Sequence, residues 1–276
     1  MTTKEWSSRG YESSVIASRY IDYRPKPPTR LSDRIVEFLK EKYNGDLTLC
    51  VDAGCGSGQC SLLFSSHFKK VLATDISVSQ IEVAKSHNHS SNIEFVASPA
   101  EQCPIEDGSA QIVNASVAAH WFDLPAFFNE ADRILCPNGI VAISAYAPLL
   151  EFVHPTASEE LGEAMKLFYR VRLGDYWASG VRIVENEYKS ITIPYEDFVR
   201  EEFYVEDCQT LSYLMNFFSS WCIYNNYCEV NGEAAGKEIL QEFANNCLKA
   251  LGSTQEPHEC EVKFKFKYFL LMAHKP

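Results

Sequence analysis

The sequence predicts an α/β fold, a doubly wound, mostly parallel sheet of seven strands with helices on both faces and helical cap insertions. Three observations predict it. Short apolar runs alternate with helix-length amphipathic segments between residues 29 and 147. A glycine-rich turn joins the first apolar run to the next helical stretch. After Tyr146 the rhythm changes to longer, aromatic-rich helical segments that end in one long strand.

Taken in order, residues 1–28 show no periodicity and end in Pro25, Pro27 and Pro28, the composition of an arm. Leu31, Ile35, Val36 and Leu39 recur at helical spacing, and Asn44-Gly45 closes that helix. Strands are predicted over 47–53, 71–76, 93–97, 110–116 and 140–145, with helices over 60–68, 77–85 and 123–135 between them. Ser77 with Gln80 reads as a capping box, Asp123 as an N-cap, and Pro137-Asn138-Gly139 as the turn into the fifth strand. Beyond it, Thr156 with Glu159 reads as a second capping box, opening a helix with Leu161, Ala164, Met165, Phe168 and Val171 on one face. A strand over 191–203 follows, then one helix over 211–227 that is apolar on two faces, a helix over 234–251 and a final strand over 262–273. A helix apolar on two sides is buried on both, or buries one and lines a cavity with the other. The expected organisation is therefore a single domain: an arm or lid over 1–28, a core over 29–147, a cap over 148–260 that includes one strand, and a last strand over 261–276.

Composition narrows the function. The net charge is -12, with 37 acidic against 25 basic residues; such a surface repels nucleic acid phosphates and anionic lipid. The basic residues, including Lys69, Lys70, Lys263, Lys265 and Lys267, are scattered and read as solvated faces. No apolar run approaches a membrane span, and no apolar segment follows Met1, so a cytoplasmic protein without a signal peptide is expected. None of the ten cysteines forms a C-x-x-C pair, and neither a metal nor disulfides are expected. Monomer and dimer both fit the sequence.

The informative segment is Val51-Asp52-Ala53-Gly54-Cys55-Gly56-Ser57-Gly58, placed where a strand turns into a helix. Glycines there allow a sharp turn and let a ligand lie against bare backbone. A dinucleotide fingerprint would require G-x-G-x-x-G, but position 59 is Gln. No Lys follows the glycines, which excludes a P-loop. Asp52 precedes them, where a carboxylate can reach a ligand's amino group, and Asp75 ends the second strand, where one can accept two ribose hydroxyls. Asn114 and Ala115 end the fourth strand, at the edge where open α/β sheets bind ligands.

This D-x-G-x-G-x-G segment, followed by an acidic residue closing the second strand, resembles the class I S-adenosylmethionine-dependent methyltransferases, which are Rossmann-like. Their small-molecule branch, including the trans-aconitate methyltransferases, is similar further along. It shares a Y-x-x-x-R-P arm (Tyr20, Arg24, Pro25), an A-H-W-F-D stretch (Ala119-His120-Trp121-Phe122-Asp123) and an L-x-x-Y-W segment (Leu173, Tyr176, Trp177), with Arg182 and Tyr188 behind it. The resemblance implies S-adenosylmethionine as cofactor, with S-adenosylhomocysteine as product. It implies a cofactor site of Asp52, Gly54, Cys55, Gly56, Gly58, Asp75, Ile76, Ala100, Glu101, Asn114 and Ala115. The family's acidic residue before the Ala that follows the third strand is replaced here by Pro99, so the adenine contact falls to Glu101 or a backbone carbonyl.

The acceptor implied is a small molecule, with Tyr20, Arg24, Trp121, Tyr176, Trp177, Arg182, Phe217 and Trp221 as candidate contacts and Arg24, Arg172 and Arg182 as candidate carboxylate clamps. His120 fits two roles, a catalytic group that acts as base or orients the acceptor, and a hydrogen-bonded structural histidine. Methyl transfer to a carboxylate needs a cation and no base, whereas a phenol or amine must lose a proton. O-methylation of a carboxylate is the first reading, N-methylation of an amine or N-heterocycle the second. A dehydrogenase and a non-catalytic cofactor-binding protein are the rival classes.

Overall fold

The computed structural model describes residues 23–276, so Tyr20 and most of the expected arm lie outside the described residues. Helix α1 (Thr29–Lys40) leads into β1 (Leu49–Ala53), α2 (Gln59–Ser65), β2 (Lys70–Asp75), α3 (Val78–His87), β3 (Ile93–Ala97) and β4 (Ala110–Ser116). After them come α4 (Leu124–Ile134), β5 (Leu135–Tyr146) and the two-residue β6 (Glu151–Phe152). The remainder comprises α5 (Ser158–Lys166), α6 (Ser179–Glu185), β7 (Val199–Thr210), α7 (Leu211–Ser219), α8 (Cys222–Asn231), α9 (Glu233–Leu251) and β8 (Glu261–His274). Strands β3-β2-β1-β4-β5 are parallel; β8 runs antiparallel to β5 and to β7, which forms the edge. Strand β6 extends the β5 side of β8, so the sheet consists of seven principal strands and a short ladder.

Alternation along the strands supplies two cores. On one face Cys50, Val71, Ile112 and Ile140 pack under Leu31, Ile35 and Leu39 of α1 and Phe64 of α2. On the other, Val51, Val113, Val141 and Ile143 pack under Phe127, Ala131 and Ile134 of α4. Strand β8 runs on past Tyr146, and its Phe264, Phe266 and Tyr268 carry a third core formed with α5, α7, α8 and α9. That extension seats the helical cap over the C-terminal edge of the parallel strands, where an open sheet presents its ligand site.

The expected N-caps at Ser77 and Asp123 are present, each accepting from the backbone N–H three residues on. Five expectations are corrected. The box at Thr156 does not form; Ala157 is the N-cap, and Ser158 instead bonds the backbone of His154. The turn at Pro137-Asn138-Gly139 is an irregularity inside β5, with Asn138 at φ 60° and a register shift against β4. The strand expected over 191–203 begins only at Val199, because Pro194 cannot donate to a ladder; Ile191 and Ile193 are buried as loop residues. Charged side chains populate β7, as suits an edge, and Lys265 and Lys267 are not merely solvated, since they pair with its Glu206 and Glu202.

The fifth correction bears on the site. The single helix expected over 211–227 is two helices, α7 and α8, broken at Ser220-Trp221. Both the backbone N–H and the hydroxyl of Ser220 donate to the Phe217 carbonyl, a side-chain competition that ends the helix, and Trp221 is extended at ψ 140°.

Candidate active site

The turn after β1 is built from three residues at positive φ: Gly54 (67°), Gly56 (53°) and Gly58 (83°). Side chains are excluded for packing reasons as well. A Cβ on Gly54 would fall 2.6 Å from that of Ala118, and one on Gly58 would fall 2.8 Å from the Phe95 ring. The turn is tied to β2 twice: the Cys55 N–H donates to the Thr74 carbonyl (2.8 Å), and the Gly56 N–H donates to Oδ2 of Asp75 (2.8 Å). Oδ1 of Asp75 accepts from the Ser77 N–H (2.8 Å). Burial raises this carboxyl above its usual range while the two backbone donors oppose the rise. Each oxygen keeps a further lone pair for a ligand hydroxyl.

Asp52 does not reach the ligand side. It is buried beneath the turn, where Oδ2 accepts from Ser61 Oγ (2.5 Å) and Oδ1 from Asn114 Nδ2 (2.7 Å). Burial, opposed by these two donors, pushes it up to about 6. The expected contact of Asp52 with a ligand amino group is replaced by a bracing role that joins β1, α2 and β4.

A cavity of about 520 Å³ opens over the C-terminal edge of the sheet. Above β1 and β2 it is lined by Gly54, Gly56, Asp75, Ile76, Gln80, Ala100 and Glu101. Above β4, β5 and the cap it is lined by Arg24, Val117, His120, Trp121, Tyr146, Tyr169 and Trp221. The cofactor residues expected from sequence thus divide. Gly54, Gly56, Asp75, Ile76, Ala100 and Glu101 come together at the cavity, with Glu101 also accepting from the Asp123 N–H. Gly58 packs on Phe95, the Cys55 side chain on the group around Ala73 and Ile81, and Asn114 and Ala115 lie within the sheet. The side chains of these four, like that of Asp52, lie outside the cavity lining and support it from behind.

The acceptor residues divide too. Arg24, Trp121 and Trp221 line the cavity, with His120 between them. Phe217 does not; it is fully buried against Tyr146, Phe266 and Trp221. Tyr176 packs edge-on against Tyr227, and Arg182 lies over the Trp177 ring in a separate surface cleft, so these three are also displaced from the site. Arg172 is excluded as a clamp by a two-pronged bond to Glu242 (2.8 and 2.6 Å).

Arg24 is nearly buried. Its Nε donates to Ser220 Oγ (3.1 Å), Nη2 to the Ser220 carbonyl (3.3 Å) and Nη1 to the Tyr146 hydroxyl (3.1 Å), while the guanidinium lies 5.7 Å from the Phe217 ring centre. The helix break at Ser220 therefore aims a cation at the cavity. Nδ1 of His120 lies 2.6 Å from the Tyr188 hydroxyl. Enclosure in protein, and then the charge on Arg24, push this imidazole down to about 3. Two strained residues frame it: Val117, a β-branched residue at φ 54°, and Tyr188 at φ 56°. Sequence reasoning missed Gln80, Tyr146 and Tyr169. Tyr146 closes the fifth strand, a position that the sheet rule flags; the other two required the packing of α3 and of the cap.

Among the described residues no helix is long and apolar enough to cross a membrane, no acidic, His or Cys group is placed to hold a metal, and all ten cysteines are free. Compared with known proteins, residues 51–143 match a family model described as a methyltransferase domain. A candidate methyltransferase of Dictyostelium discoideum is 28% identical over 260 residues, which cover 94% of this chain and 93% of that one. A malonyl-[acyl-carrier protein] O-methyltransferase of Serratia marcescens is 30% identical over 115 residues, covering 41% of this chain and 42% of that one. The solved structure of a candidate type II methyltransferase from Anaeromyxobacter dehalogenans superposes with a TM-score of 0.75 at 22% identity, over 91% of this chain and 98% of that one. That likeness speaks to the fold.

Proposed function

We propose, for a chain that is a class I S-adenosylmethionine-dependent methyltransferase, that its acceptor is a small carboxylic acid, held by Arg24 and methylated on oxygen. The residues at the β1–β2 end suit the cofactor. Gly54 and Gly56 offer backbone with no side chain in the way, and Asp75 offers two acceptor oxygens for vicinal hydroxyls. Ile76, the adjoining residue, is largely exposed and apolar, fit to cover a base. Beside them the Oε1 of buried Gln80 has no partner among the described residues and can accept from an amino group. Bound S-adenosylmethionine supplies a methyl group already activated by its sulfonium.

The chain's own task is then alignment and exclusion of water. The carrying observation is the pairing of a cation with a poor base at the acceptor end. Arg24 is fixed by Ser220 and Tyr146 with its charge at the cavity. His120, lowered to about 3, is a weak base for a phenol or an ammonium group, and Arg24 repels the latter. A carboxylate needs neither group to act as base: it is already a nucleophile, and a guanidinium holds it in a fixed orientation. Relatives named malonyl-[acyl-carrier protein] O-methyltransferases, similar over less than half of this chain, support transfer to oxygen.

The test supplies S-adenosylmethionine with parallel panels of carboxylic acids, phenols and amines and reads methylated products by mass spectrometry. Carboxylates are expected to turn over, and Arg24→Gln should lower kcat/KM on them by about a hundredfold, as loss of a charged hydrogen-bonding pair does, with S-adenosylhomocysteine affinity retained. Products formed only from amines or phenols, or an Arg24→Gln enzyme with undiminished kcat/KM, would overturn the reading.

A further inference from the structure

Tyr169 lies on the π-helical turn Leu167–Arg172, directly after α5, and borders the acceptor end of the cavity. Such turns displace one residue from the regular helical register and often mark functional positions. The ring is fully buried, packed edge-on against Trp221 at 5.6 Å and tilted against Trp177 at 5.2 Å. Its hydroxyl has no hydrogen-bond partner among the described residues. Burial raises this phenol well above its ordinary value, so the group is a neutral O–H donor at any working pH. The neighbouring charges, Arg170 and Glu185, face each other at 3.5 Å and leave the spot without net charge.

A buried donor left unsatisfied is costly, and natural cores rarely retain one without a function. Here the donor, itself buried, belongs to a residue that borders a cavity large enough to receive a molecule. Arg24 reaches the same region, because it bonds Ser220, the residue before Trp221. We propose that the Tyr169 hydroxyl donates a hydrogen bond to a neutral oxygen of the acceptor, so that the enzyme selects molecules carrying an ether or carbonyl oxygen besides the group that is methylated. A second carboxylate is disfavoured, because the rings packed on Tyr169, those of Trp177 and Trp221, offer it no cation. The assignment of the acceptor as an acid rests on the reading above; the contact with Tyr169 does not.

The experiment compares heptanoic acid with the ether acids in which one chain methylene is replaced by oxygen, position by position, in wild type and in Tyr169→Phe. The same series is run with amines in place of the acids. Wild type should prefer one ether over the plain chain by about tenfold or more in kcat/KM, since a site built to donate to an oxygen rejects the analogue lacking it. In Tyr169→Phe that ratio should fall to about one. Should the acids be inert and the amines show this Tyr169-dependent ratio, the carboxylate reading fails and the Tyr169 contact stands. Equal ratios in both enzymes, or no ether preferred by wild type, would overturn the proposal. Melting of the free proteins gives a readout that needs no acceptor. Removing an unpartnered buried hydroxyl leaves the melting temperature unchanged or raises it. A fall means that the hydroxyl already has a protein or water partner, and the proposal is wrong.

Discussion

Nδ1 of His120 and the hydroxyl of Tyr188 stand 2.6 Å apart, and both residues are locked by their surroundings, Tyr188 fully buried at φ 56° and His120 under the cap beside Arg24. The ring is therefore held as a neutral imidazole, and this determines its pH behaviour. Its folded-state value, about 3, lies below the ordinary 6.5. Protonation thus favours the unfolded chain, and the penalty grows as pH falls from about 6.5 towards 3, by at most about 1.4 kcal/mol per pH unit. His120→Gln should lose less stability than wild type between pH 7 and pH 5, as read by urea denaturation. Identical losses would show that the ring is protonated in the fold. The kcat/KM profile should show no break between pH 6 and 8 that disappears in this variant.

Asp52 should show the opposite dependence. Its folded value, about 6, exceeds the ordinary 3.8 because it is buried. The folded state holds the proton more tightly, so the stabilisation is complete below about pH 3.8 and is lost as pH rises through about 6. The difference between these two values corresponds to roughly 3 kcal/mol. Asp52→Asn removes the titration, and the partnerless Oδ1 of Asn114 can accept from the new amide if that side chain turns over. The stability of the variant relative to wild type should therefore improve from pH 4 to pH 7. A constant difference across that range would mean that Asp52 is ionised throughout in the fold.

Asp75 serves the turn as well as the cofactor. Asp75→Ala removes the acceptor of both the Gly56 and the Ser77 N–H groups and the two oxygens proposed for the ribose. Calorimetry should show the affinity for S-adenosylhomocysteine falling by at least about tenfold, the loss of more than one kcal/mol expected for charge-assisted bonds. Unchanged affinity in a folded variant would remove Asp75 from the cofactor site.

What could be read from the sequence follows how local its causes are. The parallel strands, the glycine turn and the caps at Ser77 and Asp123 depend on neighbours in sequence, and they formed where expected. Asp75 follows from the same logic, since the end of β2 adjoins the turn. The place of Asp52 is not legible, because sequence position puts it beside the glycines but does not say which face of β1 it occupies; Ser61 and Asn114 draw it beneath the turn. In the cap, Tyr176, Trp177, Arg182 and Phe217 carried aromatic or charged chemistry but no periodicity able to separate core from cavity. The decisive event there is the Ser220 break, a competition for a single carbonyl that no hydrophobic pattern records. Tyr169 was invisible for the same reason.

That break separates two aromatic residues, Phe217 and Trp221, that one continuous helix would have made equivalent. Phe217 is fully enclosed behind the lining residues Tyr146 and Trp221 and does not itself line the cavity, whereas Trp221, one turn further on, does. Phe217→Ala should therefore cost stability, about 3–5 kcal/mol as for other buried aromatics, or on the order of 10 °C in melting temperature for a chain of this size. Arg24 lies over this ring, so a modest rise in acceptor KM is expected as well. Trp221→Ala also removes buried surface, but it widens the acceptor end and takes away the ring that flanks Tyr169. Its kcat/KM on any accepted acid should fall by about a hundredfold, as misplacement of a bound reactant does, with S-adenosylhomocysteine affinity intact. Trp221→Phe should restore part of that turnover, whereas no such rescue is needed at position 217. The decisive comparison sets turnover against melting temperature for both alanine variants. If Phe217→Ala loses turnover as severely as Trp221→Ala while remaining folded, the two residues form one wall, and the division of the cap at Ser220 has no bearing on the acceptor.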